Sequence, residues 1–190
     1  IGIAGLGTVG EGFLKQLKKY KTSNKKASNF ELINIAVKNL RKKRNVATRN
    51  LPLIKDTLSL ASNPKIDIVI ELIGGSSGVT YKLVKKSLMN GKSIITANKA
   101  LLAIHGNELI KIAEKNDCFI SFEAAIAGGI PVVKAIRENL KFNEITKVYG
   151  ILNGTCNYIL TKMETEGKDF NSVLKDAQNL GFAELDPSFD

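Results

Sequence analysis

The three glycines of Gly5-x-Gly7-x-x-Gly10 constrain the fold of this chain more than any other feature of its sequence. A short apolar run at residues 1–4 precedes them, and an amphipathic segment follows. This order of strand, glycine turn and helix is the setting in which such a turn binds a dinucleotide. Gly5 would permit the tight turn, Gly7 would let the backbone approach a pyrophosphate, and Gly10 would let the helix pack close to the strand. Because a pyrophosphate would lie against the unsatisfied N–H groups at the helix N-terminus, the pattern predicts a nicotinamide or flavin dinucleotide site.

Apolar segments of strand length alternate with helical segments along most of the chain. We predict strands at residues 1–4, 30–37, 66–70, 93–96 and 118–122. We predict helices at residues 8–20, 79–90 and 101–116, and a short helix with a loop at residues 50–60. This alternation is typical of an α/β fold in which helices cover both faces of a parallel sheet. The sequence therefore predicts a Rossmann-type doubly wound parallel sheet.

The alternation changes near residue 130, where small residues and glycines precede Pro131. Beyond this point we predict a strand at residues 145–152 and helices at residues 131–139, 157–166 and 170–180. We therefore predict two domains, residues 1–130 and residues 131–190, the second being the beginning of an α+β domain. Residue 1 already lies inside the first predicted strand, and it is not a methionine. We expect the chain to be part of a longer protein.

The formal net charge of +10 is concentrated in one segment of the sequence. Between residues 15 and 49 there are twelve lysines and arginines and a single acid, Glu31. No recognised nucleic-acid motif accompanies these cations, so we expect no nucleic-acid partner. The two remaining interpretations are a solvated helix face and a cluster that attracts the phosphates of a cofactor.

Hydropathy and cysteine content bear on the class of protein. No apolar run approaches the roughly 20 residues that span a bilayer, so we expect no membrane partner. Cys118 and Cys156 are too few and too far apart to indicate a disulfide framework or a metal site. We therefore expect reduced thiols in a cytoplasmic protein.

The residues after the second predicted strand bear on the choice of cofactor. In NAD-binding domains of this type, an acid near that position binds the adenosine ribose. Glu31 lies at the beginning of the strand, which is the wrong end, whereas Lys38 follows its carboxyl end. A cation there suits the 2′-phosphate of NADP, so NADP is favoured over NAD. A solvated basic loop is the alternative.

Three other segments carry groups that suit ligand binding. Lys99 follows a predicted strand and can donate hydrogen bonds to a carbonyl or a cofactor ribose, although a surface lysine is the alternative. Glu123 precedes small residues whose carbonyls, with its carboxylate, can hold a hard cation, although a tight turn is the alternative. Glu184 lies in a loop that either binds a substrate amine or simply turns. His105 is the only histidine, and no partner for a hydrolytic Ser-His or Cys-His arrangement is evident.

Six motifs, taken together, resemble the homoserine dehydrogenase family, and they occur in the order that the family has. They lie at residues 5–10, 71–75, 96–103, 122–131, 150–159 and 181–187 and span essentially the whole chain. The Asn-Gly-Thr-x-Asn-Tyr and Ala-Glu-x-Asp-Pro patterns in the last two are far more specific than the glycine turn. The resemblance implies an NAD(P)-binding Rossmann domain followed by the beginning of the catalytic and dimerisation domain.

The resemblance also implies an activity for the complete protein. It is the interconversion of L-homoserine and L-aspartate 4-semialdehyde by hydride transfer, in threonine, methionine and isoleucine biosynthesis. The implied cofactor is NADP, or NAD in its place, and the implied assembly is a homodimer. Two other hypotheses stay open: a non-catalytic dinucleotide-binding module, and another amino-acid or semialdehyde dehydrogenase with the same first domain.

Individual residue roles carry over from the family pattern. The implied cofactor contacts are Gly5, Gly7, Thr8, Val9, Gly10, Lys38, Thr96, Lys99 and Gly181. Lys38 takes the place of a basic residue that contacts the NADP phosphate, and Lys99 that of a residue at the nicotinamide end.

The resemblance further implies a substrate contact and a cation site. Glu184 corresponds to the residue that binds the homoserine amino group. A sodium ion is implied at the carboxylate of Glu123 and the backbone of Ile126, Gly128 and Ile130. The family's catalytic Asp and Lys lie beyond Asp190, so the resemblance places no catalytic residue in this chain, with Lys99 as a supporting group. We expect these residues alone to bind cofactor at best, without useful turnover.

Overall fold

The computed structural model describes residues 1–23, 30–151 and 153–183. The chain divides into two compact units, Ile1–Val133 and Lys134–Asp190. Among the described helices, none combines the length and the apolar character needed to cross a membrane.

The first unit is built on a six-stranded sheet with the order β3-β2-β1-β4-β5-β6, and all its pairings are parallel. Its strands are β1 (Gly2–Ala4), β2 (Asn34–Ala36), β3 (Leu53–Ile54), β4 (Ile68–Glu71), β5 (Ser93–Thr96) and β6 (Ile120–Ser121). The strand order reverses between β1 and β4, and a doubly wound sheet binds its ligands at the carboxyl ends of such strands. The prediction of a Rossmann-type parallel sheet is therefore confirmed.

Helices form four of the five connections between strands of the first unit, and they make up most of the described part of the second unit. The first unit contains α1 (Thr8–Ser23), α2 (Ser59–Ser62), α3 (Gly78–Met89) and α4 (Lys99–Lys115), followed by a 3₁₀ turn at Glu123–Ala125. Next come α5 (Val132–Lys134), a π-helical segment at Ala135–Asn139, α6 (Gly154–Glu166) and α7 (Phe170–Leu180). The predicted helix after Pro131 is present, with its second half in the π form.

Apolar clusters cover the two faces of the sheet because successive strand residues point to opposite sides. On one face, buried side chains of the sheet meet those of α3 and α4; they include Val69, Leu83, Leu88, Ile94, Leu101 and Leu109. On the other face, buried strand residues meet the apolar side of α1; they include Ile3, Ile35, Ile70, Phe13 and Leu14. Covering both faces explains why the strands are apolar almost throughout.

In the second unit, α6 and α7 pack against each other around Ile159, Val173 and Ala177. Both helices begin at a side-chain cap. The Oδ1 atom of Asn153 accepts the N–H of Cys156 at 2.8 Å, and Asp169 accepts that of Ser172 at 3.1 Å. Such caps satisfy N–H groups that a helix leaves without partners at its first turn.

Two sequence predictions differ from the structure. The predicted strand at residues 145–152 is wrong, because residues 145–151 form no strand and residue 152 lies outside the described residues. An apolar stretch becomes a strand only beside another strand that pairs its backbone, and the described part of this unit offers none. Conversely, the segment predicted as a short helix with a loop at residues 50–60 contains β3. Its placement depends on pairing with β2, where Val37 N–H donates to Ile54 at 2.9 Å.

Candidate functional site

A groove of about 1190 Å³ lies at the carboxyl ends of β1, β2 and β4. Gly5 and Gly7 line it on the side of the glycine turn, and Leu72 and Ile73 line it after β4. The described residues around it contribute no acid but five cations, which are Lys38, Arg41, Lys42, Arg44 and Lys55. Such a groove concentrates anions and suits an elongated ligand that carries phosphates.

The three glycines of the turn serve different physical purposes. Gly5 has a φ of +100°, and a Cβ there would lie 2.5 Å from the carbonyl oxygen of Leu72. A Cβ on Gly10 would lie 2.6 Å from the carbonyl oxygen of Gly5. A Cβ on Gly7, in contrast, would meet no described atom within 4 Å. Packing therefore requires glycine at positions 5 and 10, whereas at position 7 the structure leaves open space beside the groove.

Helix α1 begins directly after Gly7 with Thr8 and Val9, both exposed. The first N–H groups of a helix lack acceptors within the helix, and its N-terminus carries partial positive charge. Because Gly7 lines the groove, this helix end begins at the groove, as pyrophosphate binding requires.

The loop after β2 supplies most of the cations. Lys38 is exposed and lines the groove, as do Arg41 and Lys42. Among the ion pairs of the described residues, none involves these three side chains. Asn39 shapes the loop locally, because its Oδ1 accepts the N–H of Arg41 at 2.9 Å. These three cations therefore line the groove without forming an ion pair among the described residues.

A buried carboxylate, Glu71, organises the turns after β4 and β5, and the sequence analysis assigned it no role. Its side chain is completely buried. Its Oε1 accepts the N–H groups of Ile73 at 2.7 Å and Gly74 at 3.2 Å. Its Oε2 accepts the hydroxyl of Thr96 at 2.6 Å. The sequence does contain a signal for this role, which is an acidic residue at the end of an apolar strand. A carboxylate in such a buried position needs hydrogen-bond donors around it.

The same network extends from Thr96 to the start of α4. The Thr96 hydroxyl oxygen accepts the N–H of Asn98 at 3.0 Å. Asn98 in turn caps α4 by accepting the N–H of Leu101 at 3.0 Å, and its amide donates to the Gly75 carbonyl at 2.7 Å. The hydroxyl of Thr96 is therefore buried and used within the protein. Of the expected cofactor contacts, Thr96 is the one whose side chain lies beneath the surface.

Lys99 is the first residue of α4 and is half-buried. It lines a cavity of about 360 Å³ between α4 and residues 122–126, whose other lining residues include Leu102, Ile110 and Phe122. This cavity is distinct from the groove beside the glycine turn. The structure thus places Gly5, Gly7 and Lys38 together and Lys99 at a neighbouring cavity.

The segment from Glu123 to Ile130 curls tightly. Ala127 and Gly128 both have positive φ, at 55° and 61°. Oε1 of Glu123 accepts the N–H of Val133 at 3.1 Å, and the Ile130 carbonyl accepts that of Val132 at 2.8 Å. Carboxylate and carbonyl oxygens are donors that hard cations prefer, so the donor set expected for sodium is chemically suitable. Among the described residues there is no group of three or more His, Cys, Asp or Glu side chains arranged to hold a metal.

Two expected ligand contacts lie in the second unit. Gly181 ends α7 with a φ of 78°, a left-handed conformation that favours glycine at a helix end. Thr155 at the start of α6 donates to the Phe182 carbonyl at 2.6 Å. Glu184 lies outside the described residues. The cofactor role of Gly181 and the substrate role of Glu184 stay predictions.

The clearest electrostatic cluster of the first unit lies away from the groove, between α3 and α4. Lys85 Nζ and Tyr81 Oη each contact Oε1 of Glu108 at 2.8 Å. The hydrogen bond from Lys85 lowers the pKa of Glu108 the most, and the hydrogen bond from Tyr81 lowers it further. The hydrogen bond to Glu108 in turn raises the pKa of Lys85. His105 stacks on the Tyr81 ring with 4.3 Å between centroids. The single histidine is thus part of a contact between helices.

Neither Cys118 nor Cys156 forms a disulfide bond. Burial raises the pKa of the Cys118 thiol, and a higher pKa means less of the nucleophilic thiolate at neutral pH. Cys156 is exposed near the start of α6.

The sheet order, the glycine turn and the cation-lined groove define a dinucleotide-binding domain of the Rossmann type. Comparisons with known proteins show which family this domain belongs to. Residues 5–123 match the family model described as "Homoserine dehydrogenase, NAD binding domain". Residues 131–190 match the model described as "Homoserine dehydrogenase". The chain belongs to the homoserine dehydrogenase family.

Individual relatives agree with this assignment. Over its whole length the chain is 45% identical to the homoserine dehydrogenase of Pseudomonas aeruginosa and 42% identical to that of Bacillus subtilis. It spans 44% of the length of each of these relatives.

Solved structures give the same result. The crystal structure of a homoserine dehydrogenase from Thiobacillus denitrificans matches the whole chain with a TM-score of 0.86 at 42% identity, and 44% of that protein is covered. A hyperthermophilic archaeal homoserine dehydrogenase in complex with NADPH matches the whole chain with a TM-score of 0.77 at 27% identity, and 63% of it is covered.

Proposed function

We propose that the groove beside the glycine turn binds NADP(H), and binds NAD(H) more weakly. The observation that carries the proposal is the combination of open space above Gly7 with a lining of five cations and, among the described residues, no acid. The pyrophosphate would bind at the start of α1, beside Gly7, Thr8 and Val9. Lys38 would bind the 2′-phosphate, which NAD lacks.

In the complete protein, we propose, the bound cofactor serves the interconversion of L-homoserine and L-aspartate 4-semialdehyde. Family membership supports this reaction. The cofactor would supply hydride-transfer chemistry at the alcohol carbon of the substrate, and this chain's residues would bind and orient it. Lys99 and Gly181 would contact the cofactor, and Glu184 would bind the substrate amino group.

A monovalent cation, sodium, is part of the same proposal. The carboxylate of Glu123 and the carbonyls of Ile126, Gly128 and Ile130 would hold it. What supports it is a set of carboxylate and carbonyl oxygens within one short segment that turns tightly at Ala127 and Gly128. The proposed assembly of the complete protein is a homodimer in the cytoplasm, where the thiols of Cys118 and Cys156 stay reduced.

Titration of the chain with NADPH and NADH, followed by cofactor fluorescence, tests the cofactor assignment. We expect NADPH to bind more tightly, and Lys38→Ala to reduce the preference by about tenfold, since a charge-assisted contact contributes roughly 1.5–3 kcal/mol. The control is Lys65→Ala, an exposed lysine that precedes the amino end of β4. Equal affinities in the unaltered chain would contradict the assignment of Lys38.

A second test addresses the open space above Gly7. Gly7→Ala should leave the fold intact, because the added Cβ meets no described atom within 4 Å. It should weaken NADPH and NADH binding alike, since the methyl group would occupy the pyrophosphate position. The matched control is Gly12→Ala, also without a near neighbour but inside α1. Unchanged binding by Gly7→Ala would exclude this groove as the cofactor site.

A further inference from the structure

Arg44 is one of the cations of the basic loop, but its side chain is engaged in hydrogen bonds to backbone carbonyls. Its guanidinium donates to three backbone carbonyls: Nη2 to Asn39 at 2.7 Å, Nη1 to Lys42 at 3.0 Å, and Nε to Leu6 at 3.4 Å. Leu6 lies between the first two glycines of the turn. The Arg44 side chain therefore joins two carbonyls of the loop after β2 and connects that loop to the glycine turn after β1.

A second contact joins the same two segments. The N–H of Asn45 donates to Oε2 of Glu11, in the first turn of α1, at 3.1 Å. Adjacent residues of the loop thus reach the glycine turn and the helix that follows it, across a separation of more than thirty residues in sequence. These two side-chain contacts add to the backbone hydrogen bond from the Gly5 N–H to the Ala36 carbonyl at 3.0 Å, which joins the glycine turn to the end of β2.

We propose that Arg44 is a positioning residue for cofactor specificity rather than a ligand of the 2′-phosphate, an inference that rests on the proposed NADP(H) site. By holding the carbonyls of Asn39 and Lys42 against the glycine turn, it places Lys38 along the groove. The distance between the pyrophosphate and the 2′-phosphate of NADP is fixed by the cofactor. A loop that recognises both groups therefore has to be held at a set distance from the glycine turn.

The chemistry of the side chain explains why an arginine occupies this position. A planar guanidinium offers five N–H donors in a fixed arrangement, so it can satisfy three carbonyls that lie in different directions. A lysine ammonium at the end of a flexible chain carries the same charge but cannot keep that arrangement. Arg44→Lys therefore removes the positioning function while preserving the charge beside the groove.

The test compares NADPH and NADH affinities of the chain with Arg44→Lys, Lys38→Ala and the double variant. We expect Arg44→Lys to lower the NADPH preference by about tenfold despite the retained charge. In the Lys38→Ala background the same substitution should change the preference little, because the two residues act through one contact. Arg49→Lys, at an exposed arginine near the end of the basic segment, is the matched control.

Two results would overturn the proposal. An unchanged preference in Arg44→Lys would mean that the loop keeps its position without the guanidinium. An equal loss in both backgrounds would mean that Arg44 binds the phosphate directly.

Amide hydrogen exchange without cofactor separates this proposal from the proposed function. We expect the amides of Arg41 and Asn45 to exchange faster in Arg44→Lys, since the loop loses its hold on the glycine turn. If the unaltered chain binds neither cofactor, the proposed function fails while the exchange result still decides whether Arg44 holds the loop. Unchanged exchange rates would reject that role.

Discussion

The turn after β1 and the turns after β4 and β5 lie at the same edge of the sheet but are held in different ways. The glycine turn depends on close backbone contact, since a Cβ on Gly5 or Gly10 would collide with a carbonyl oxygen. The other two turns depend on buried polar side chains. The Thr96 hydroxyl donates a hydrogen bond to Glu71 and accepts one from the N–H of Asn98. The backbone leaves room around Gly74 and Gly75, where a Cβ would meet no described atom within 4 Å, although their φ angles of +87° and +77° favour glycine.

This difference predicts different sensitivities to mutation. Where close backbone contact determines a turn, even the smallest added side chain should destabilise the fold. Where a hydrogen-bond network determines it, size matters less than the number of donors and acceptors left unpaired. The Arg44 contacts form a third case, in which one long side chain holds a loop from outside.

The largest expected effect is that of Gly5→Ala. The added Cβ would lie 2.5 Å from the Leu72 oxygen, and the φ of +100° disfavours any side chain. We expect a loss on the order of 4 kcal/mol in the free energy of unfolding, from backbone strain and steric overlap together. Urea denaturation measures it. Gly12→Ala serves as the control and should stabilise α1 by roughly 0.5–1 kcal/mol; a Gly5→Ala variant as stable as the control would refute the backbone-contact account.

Glu71→Ala should have the next largest effect. It leaves the N–H groups of Ile73 and Gly74 and the hydroxyl of Thr96 without their acceptor, at a cost of about 3 kcal/mol or more. Chemical denaturation should show this loss, with exposed Glu114→Ala changing stability by less than about 0.5 kcal/mol. If both substitutions had the same small effect, the buried network would not be what holds these turns.

Thr96 separates hydrogen bonding from packing within that network. Thr96→Val keeps the shape but removes the hydroxyl that joins Glu71 to Asn98, and we expect a loss of about 2 kcal/mol. Thr96→Ser keeps the hydroxyl and loses one methyl group, at about 1 kcal/mol. Thermal unfolding of the two variants shows which of them is the less stable. A serine variant less stable than the valine variant would show that packing dominates here.

The smallest effect is expected at Glu108, in the contact between α3 and α4. Its folded-state pKa lies below its usual value of 4.5, so its contribution to stability is complete above that pH and is lost as the pH falls through the folded-state pKa. Glu108→Gln should lower the urea midpoint slightly at neutral pH, because the pair is exposed to solvent. At a pH well below 4.5 the two midpoints should converge. A difference that persisted in acid would assign the effect to something other than the carboxylate charge.

Much of the fold could be predicted from the sequence because its signals are local. The apolar runs at residues 1–4, 66–70 and 93–96 predicted β1, β4 and β5. The two-residue strand β3 could not be predicted, since its strand character depends on pairing with β2. The apolar residues Val148, Tyr149 and Ile151 predicted a strand, yet their side chains are mostly exposed and the described residues offer no partner strand.

The candidate site divides in the same way. The glycine turn and Lys38 could be recognised from position along the chain. Glu71 has a partner 25 residues away, and Arg44 a partner 38 residues away, so their roles depend on which segments the sheet brings together. In sequence, Arg44 looks like one more cation of the basic loop.

By itself, the sequence determined the α/β class, the dinucleotide turn and the family, because each depends on residue types at short, regular spacings. The tertiary structure supplied the distances that underlie the roles expected of Gly5, Gly7 and Gly10. It alone showed that Lys38 and Arg44, six residues apart, have different surroundings. The physical reason is that steric contact and hydrogen-bond satisfaction depend on atoms from distant segments, which meet only when the sheet has formed.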